Sequence, residues 1–258
     1  MKLLLTIALF LLTLSLRASQ TVYSAPDETG LVGYWKMDDP SPTTIDYSGN
    51  GNNGTNVGGA TLTNGVIGSA LSFNGTSQYV ASNTNFNYST QDFSVLLWVY
   101  LPARTTFNSF FSNRQTGAAD TGFLLTQDFN TPFRKIRFQL NDQGAQHDFN
   151  SGINPIPTNI WTQIGIVVDR ANALCKIVFN GSFETNVSIS SVSGSIASTS
   201  ILTIGTDISY QPNLSAYTSG LIDEFRIYNR VLSATEITNL YNFQQKTYLT
   251  NGTTPFKP

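Results

Sequence analysis

The stretch 46–55, DYSGNGNNGT, carries the residue types and spacing of a hard-cation loop. Asp46, Ser48 and Asn50 stand at alternate positions and Gly51 follows in sixth place, as in the first half of an EF-hand calcium loop. The pattern then breaks, because Val57 stands where such a loop places its bidentate glutamate. A cation held here would need carboxylate oxygen from elsewhere in the chain. The same residues without metal make a Gly/Asn turn whose side chains bond their own backbone, and both readings stay open at this point.

Sugar chemistry asks for an aromatic face beside planar polar groups, because C–H faces of sugar rings stack on π-systems while hydroxyls need paired donors and acceptors. The strand pattern from Phe93 to Leu101 puts Phe93, Val95, Leu97 and Val99 on one face and Leu96, Trp98 and Tyr100 on the other. Two apolar faces mean that either both are covered or the second lines a groove. From Lys135 to Asn141, Ile136, Phe138 and Leu140 alternate with Arg137, Gln139 and Asn141, a polar face able to read hydroxyls. Trp98, Tyr100, Arg137 and Gln139 are therefore the candidate ligand-binding residues. Core packing for Trp98 and a solvated sheet face for Arg137 are the competing readings.

Catalysis finds less support. Glycoside hydrolysis needs two carboxylic groups across one cleft. The glutamates are Glu28, Glu184, Glu224 and Glu236, and none sits in a Glu-x-Asp-x-x-Glu arrangement. Asp223 and Glu224 are adjacent, so regular strand geometry points them to opposite faces. His147 is the sole histidine, within a Gln/Asn/Asp-rich stretch read as a loop, which excludes a zinc site of several histidines. No catalytic residue is expected. Cys175, the sole cysteine, shares a strand face with Ile177 and Phe179 and reads as a buried apolar residue.

The elements that must position these groups are strands. Signals recur over Phe107 to Asn113, Gly122 to Gln127, Ile160 to Asp169, Leu174 to Phe179, Phe183 to Ile189 and Ile201 to Ile204, with no long helical pattern between them. Asn180-Gly181 is a two-residue hairpin signal. Near the end, Leu221 to Tyr228 alternates as a half-buried strand. Ser233 then offers an N-cap oxygen with Glu236 three residues on, and Ile237, Leu240 and Tyr241 keep one helix face apolar. The reading is an all-β antiparallel sandwich closed by a short C-terminal helix.

This closing segment, GLIDEFRIYNRVLSATEITNLYN from Gly220 to Asn242, resembles the last strand and helix of laminin-G-like jelly rolls, the concanavalin A-like lectin and glucanase class. The first strand LVGYWKMD (31–38), the loop 46–55, ALSFNG (70–75) with Tyr79-Val80, DFSV (92–95) with Trp98-Val99, and Trp161 followed by Asn180-Gly181 resemble that family in the same order. The resemblance covers 30–242. It implies a concanavalin A-like jelly roll with Trp35, Trp98 and Trp161 in packing positions. It also implies a structural Ca2+ bridging the Asp46 loop to the terminal strand, with Asp46 and Asp223 as carboxylates and loop carbonyls at Gly49, Asn52 or Asn53. The fold carries lectins, adhesins, hydrolase accessory modules and structural modules alike.

Composition narrows the partners. With 14 basic against 16 acidic residues, the chain has no electrostatic footprint for nucleic acid or anionic lipid. Charged residues are only 12% of the chain, while Asn, Ser, Thr and Gly abound, so the surface is neutral and hydroxyl-rich. Residues 1–18 place Lys2 before an apolar run too short for a membrane span, which reads as an export signal cleaved after Ala18 or Ser19. A linker (19–29), the sandwich (30–242) and a tail (243–258) follow. Asn53, Asn74, Asn87, Asn180, Asn186, Asn213 and Asn251 head Asn-x-Ser/Thr sites at a frequency that composition alone accounts for. The expectation is a secreted or cell-surface, non-catalytic, calcium-stabilised lectin-like module for glycans or a glycosylated surface, with no membrane insertion once the signal is removed. The alternative is a structural or adhesive surface protein that assembles through protein contacts, with copies of itself or another chain, without sugar.

Overall fold

A computed structural model describes residues 25–102, 108–115, 120–127, 135–150, 155–210 and 217–250. The expected export signal (1–18), most of the linker after it and the tail beyond Thr250 lie outside the described residues. In chain order the strands are β1 (Leu31–Trp35), β2 (Thr43–Thr44), β3 (Gly54–Val57), β4 (Thr61–Asn64), β5 (Ser69–Asn74), β6 (Tyr79–Ser82), β7 (Phe93–Tyr100) and β8 (Ser109–Ser112). They continue with β9 (Gly122–Gln127), β10 (Ile136–Asp142), β11 (Ala145–Asn150), β12 (Thr162–Asp169), β13 (Leu174–Phe179), β14 (Ser182–Ser188), β15 (Thr203–Ile204) and β16 (Ser219–Tyr228). One helix, α1 (Ala234–Thr250), follows.

The strands form two antiparallel sheets. The first runs β14-β13-β12-β7-β16-β5-β4, with β1 also paired to β16, and the second runs β11-β10-β9-β8-β15-β6-β3-β2. This is the expected jelly-roll sandwich. The inner side chains Phe93, Val95, Leu97 and Val99 of β7 enter one core with Phe111, Phe123, Leu125, Phe138 and Leu140 from the second sheet. Each fully buried side chain of this size contributes roughly 1.5–3 kcal/mol. Cys175 lies in the same core, where burial pushes its thiol well above the usual range. Asn180 and Gly181 turn the β13–β14 hairpin with φ of 46° and 76°, as two-residue turns of this kind require.

The outer face of the first sheet is covered as well. Helix α1 opens with a reciprocal capping box: Glu236 N donates to Ser233 Oγ at 3.2 Å and Ser233 N to Glu236 Oε2 at 2.8 Å. Its residues Ile237 and Leu240 pack with Leu96, Val167, Val178 and Tyr228. Where the sequence suggested a short helix ending near Asn242, α1 continues to Thr250, and that extra turn brings Gln244 onto the sheet.

Strand β16 is the centre of the first sheet. It pairs with β7 on one side, and on the other with β5 and then β1, end to end. The register shifts between Asp223 and Arg226, and Glu224 adopts φ of 52°. This bulge overturns the expectation that adjacent Asp223 and Glu224 point to opposite faces. Phe225 enters the main core, while both carboxylates lie beneath α1 and the 65–68 turn.

Candidate functional site

The outer face of the second sheet is polar across most of its width. On β10 the alternation places Arg137, Gln139 and Asn141 outward, and cross-strand register sets them opposite Asn150, Asp148 and Gln146 of β11. Thr126 and Leu124 of β9 and Ser112 of β8 continue the same face. His147 therefore belongs to a strand, not to the loop the sequence suggested. Strand β11 is polar because it is a sheet edge of which only Phe149 is buried. His147 Nε2 lies 2.7 Å from Asp142 Oδ1, at the end of the hairpin.

Asp148 organises the exposed strip. Its carboxylate accepts Arg137 Nε at 3.1 Å and Nη2 at 2.7 Å, Gln146 Nε2 at 3.0 Å, and Gln139 Nε2. Burial alone would raise its pKa, but the hydrogen bonds from Arg137, Gln139 and Gln146 outweigh that and hold the carboxyl below its usual range. The Arg137–Asp148 pair is bidentate, which fixes both planes. The Asp148 and Arg137 side chains stay 38% and 21% exposed, enough to meet a ligand without rearrangement.

Behind the strip lies a buried second row. Gln139 is fully buried, and its Oε1 accepts Arg114 Nη1 at 2.8 Å. Arg114 also stands 3.6 Å from Asp120 and 3.6 Å from Asp207, while Ser112 Oγ donates to Asp207 Oδ1 at 3.0 Å. The row locks the rotamer of Gln139 and, through it, Asp148. The Asn141 amide and Thr126 Oγ1 on this face are buried without a hydrogen-bond partner among the described residues.

The other expected ligand residues lie elsewhere. Trp98 is fully buried: its ring stacks on Tyr241 with centroids 5.3 Å apart, and its Nε1 donates to Gln244 Oε1 at 2.8 Å. It presents no face to a ligand, so the groove reading of Trp98 is corrected to packing beneath α1. Tyr100 sits at the rim of that cluster, its ring 5.7 Å from Trp161 and its hydroxyl 3.4 Å from Asn159. Only Arg137 and Gln139 are brought together. Asp148 and Arg114 were missed, because one lay in the presumed loop and the other lay between strand signals.

The Asp46 loop has the geometry of the turn alternative. Asp46 Oδ1 accepts Tyr34 N and Ser48 N, each at 2.9 Å, and Oδ2 accepts Ser48 Oγ at 2.9 Å and Asn52 N at 2.8 Å. Asn52 binds Val32 O through its amide nitrogen, and Gly49 is exposed with φ of 84°. Asp223 is engaged elsewhere, its Oδ2 accepting Val66 N at 2.6 Å and Ile67 N at 3.2 Å. Burial, then the neighbouring Glu224 carboxylate, push Asp223 well above the usual carboxylate range. Among the described residues, no three carboxylate, histidine or cysteine groups converge to hold a metal ion. As placed, these residues do not form a hard-cation cage.

The architecture defines a jelly-roll β-sandwich of the concanavalin A-like type. A family profile for the concanavalin A-like lectin/glucanases superfamily matches residues 74–238, and the chain belongs to that superfamily. No curated protein matches the chain. Among solved structures, the chain is similar to the binding domain of Paraclostridial Mosquitocidal Protein 1, with 21% identity and a TM-score of 0.66 over 84% of this chain and 52% of that one. It is similar to domain 4 of AbnA, a GH43 extracellular arabinanase from Geobacillus stearothermophilus solved with arabinotriose, with 23% identity and a TM-score of 0.63 over 82% and 98%. A third is the botulinum neurotoxin serotype D ligand-binding domain in complex with N-acetylneuraminic acid, with 14% identity and a TM-score of 0.61 over 84% and 52%. The chain thus spans about half the length of the toxin domains it matches, and nearly all of the arabinanase domain matches it.

Proposed function

We propose that this chain is a non-catalytic glycan-binding module that reads sugar hydroxyls on the β10–β11 face. The observation that carries the reading is the Arg137–Asp148–Gln146 strip, whose side chains are exposed yet held by Gln139 and the row behind it. The Asp148 carboxylate is saturated by its four donors and holds the Arg137 guanidinium in plane, so the N–H groups of Arg137 that Asp148 does not take are the donors set for sugar hydroxyls, and little ordering remains to be done on binding. Two similar domains, solved with arabinotriose and with N-acetylneuraminic acid, support a glycan as the partner class. The burial of Asp223 and Glu224, neither of which reaches solvent, supports binding over hydrolysis by that pair. The apolar run at 1–18 supports an exported, extracellular role.

A glycan screen on the protein tests this, run with calcium and again with chelator and repeated with Arg137→Ala and Asp148→Ala. Binding of one sugar class that both substitutions weaken at least tenfold is the expected result. A folded protein that binds no glycan in either condition would overturn the reading in favour of assembly through protein contacts.

A further inference from the structure

Beneath the Arg137–Asp148 strip, the Gln139 amide has only one orientation open to it. Its Oε1 accepts Arg114 Nη1 at 2.8 Å, and its Nε2 donates to Asp148 Oδ1. A guanidinium can only donate, and an ionised carboxylate can only accept. Turned over, the amide would set donor against donor and acceptor against acceptor. Bulk water cannot stand in, because Gln139 is 0% exposed and a buried polar group left unpaired is costly.

Arg114 sets that orientation while itself buried away from any ligand. Its side chain is 6% exposed and lies between two carboxylates, with Nη2 3.6 Å from Asp120 Oδ2 and Nη1 3.6 Å from Asp207 Oδ2. Asp207 is fully buried and fixed in turn by Ser112 Oγ and Ser209 N, each donating to its Oδ1 at 3.0 Å. A line of ion pairs and hydrogen bonds thus crosses the second sheet, from the segment after β15 through Arg114 and Gln139 to Asp148 on β11. At its far end Asp148 takes Nε and Nη2 of Arg137, which leaves Nη1 for a ligand. We infer that Arg114 is a positioning residue for this sheet face: it sets the sense of the Gln139 amide, which presents a donor to Asp148 and so fixes the plane of Arg137. The consequence for affinity rests on the glycan reading of this face; the relay itself does not.

Carboxyl-carbon NMR of Asp148 through a pH titration, with glycan titration beside it, tests the relay. The charged group facing Asp148 is Arg137, with the Gln139 and Gln146 amides alongside, and together they hold its carboxyl below the usual range. In Arg114→Met the Gln139 amide is free to turn over, so the Asp148 titration should move upward. Glycan affinity should fall about three- to tenfold, the worth of one hydrogen bond. Both effects should vanish when the same change is made in a Gln139→Met background, which has no relay left to break. Should Arg114→Met fail to fold around an unpaired Asp207, Arg114→Met with Asp207→Asn removes both charges and serves the same comparison. An Asp148 titration that stays in place would overturn the relay. So would a shift of equal size with and without Gln139, since the Arg114 charge would then be acting through space. The titration needs no ligand, so a relay that holds in a protein binding no glycan would refute only the reading of the β10–β11 face.

Discussion

Replacing Trp98 by alanine separates a packing role from a ligand role. The ring is 0% exposed and contacts Val66, Ala70 and Trp161 in one apolar cluster besides stacking on Tyr241. Truncating a buried tryptophan to alanine costs about 3–5 kcal/mol, as lost transfer energy plus a cavity. The lost Nε1 hydrogen bond adds little, because Gln244 Oε1 still accepts Gln163 Nε2 at 3.1 Å and is not left bare. At roughly 2–4 °C per kcal/mol for a domain of this size, Tm should fall by about 6–20 °C. Trp98→Phe keeps most of the ring and should cost only about 1–2 kcal/mol. The assay is thermal unfolding by circular dichroism, paired with glycan titration well below the transition. Affinity should be unchanged in whichever variant remains folded. A Trp98→Ala protein that melts within a degree or two of the parent yet loses its ligand would refute the packing argument and restore the groove.

Asp148→Asn should weaken glycan binding about tenfold while shifting stability by no more than about 1 kcal/mol, since the Arg137 pair is partly exposed; titration and a melt read the two effects. Asp223 holds its proton above the ordinary carboxylate range, so between its unfolded and folded pKa the folded state binds more protons than the unfolded one, and stability must decline as pH rises from about 4 toward the folded pKa. Asp223→Asn, which keeps an oxygen for Val66 N and Ile67 N, should flatten that decline in melts compared at pH 5 and pH 8. Asp46→Ala should lower stability by about 1.5–3 kcal/mol through orphaned loop N–H groups, equally in calcium and in chelator. A calcium-dependent melt that Asp46→Ala abolishes would instead identify the loop as a cation site.

The sheets were legible wherever one face is buried. Gly122–Gln127 and Leu174–Phe179 appear with the bounds their patterns suggest, because alternation is a direct imprint of the core on the sequence. The capping box and the Asn180-Gly181 turn were equally plain, since both are local chemistry. Strand β11 was invisible: an edge strand with only Phe149 buried has no apolar period to read. The Glu224 bulge was invisible for a different reason, as an αL residue in mid-strand is imposed by the neighbours and not by its own side chain. Trp98 went astray as a ligand candidate, because two apolar faces on one strand look the same whether a helix or a sugar covers the second.

The position of β16 has a consequence for how the chain comes together. It is the last strand in chain order, yet it fills the slot between β7 on one side and β5 and β1 on the other. Until residues 219–228 have left the ribosome, the first sheet is three pieces with open edges, β14-β13-β12-β7, β5-β4 and β1 alone, and the apolar outer surface of β7 waits longer still for its helix. The local hairpins β9-β10-β11 and β12-β13-β14 can form early, but the first sheet cannot close without β16. A polypeptide interrupted before β16 would therefore carry the exposed edges of β7, β5 and β1, prone to aggregation.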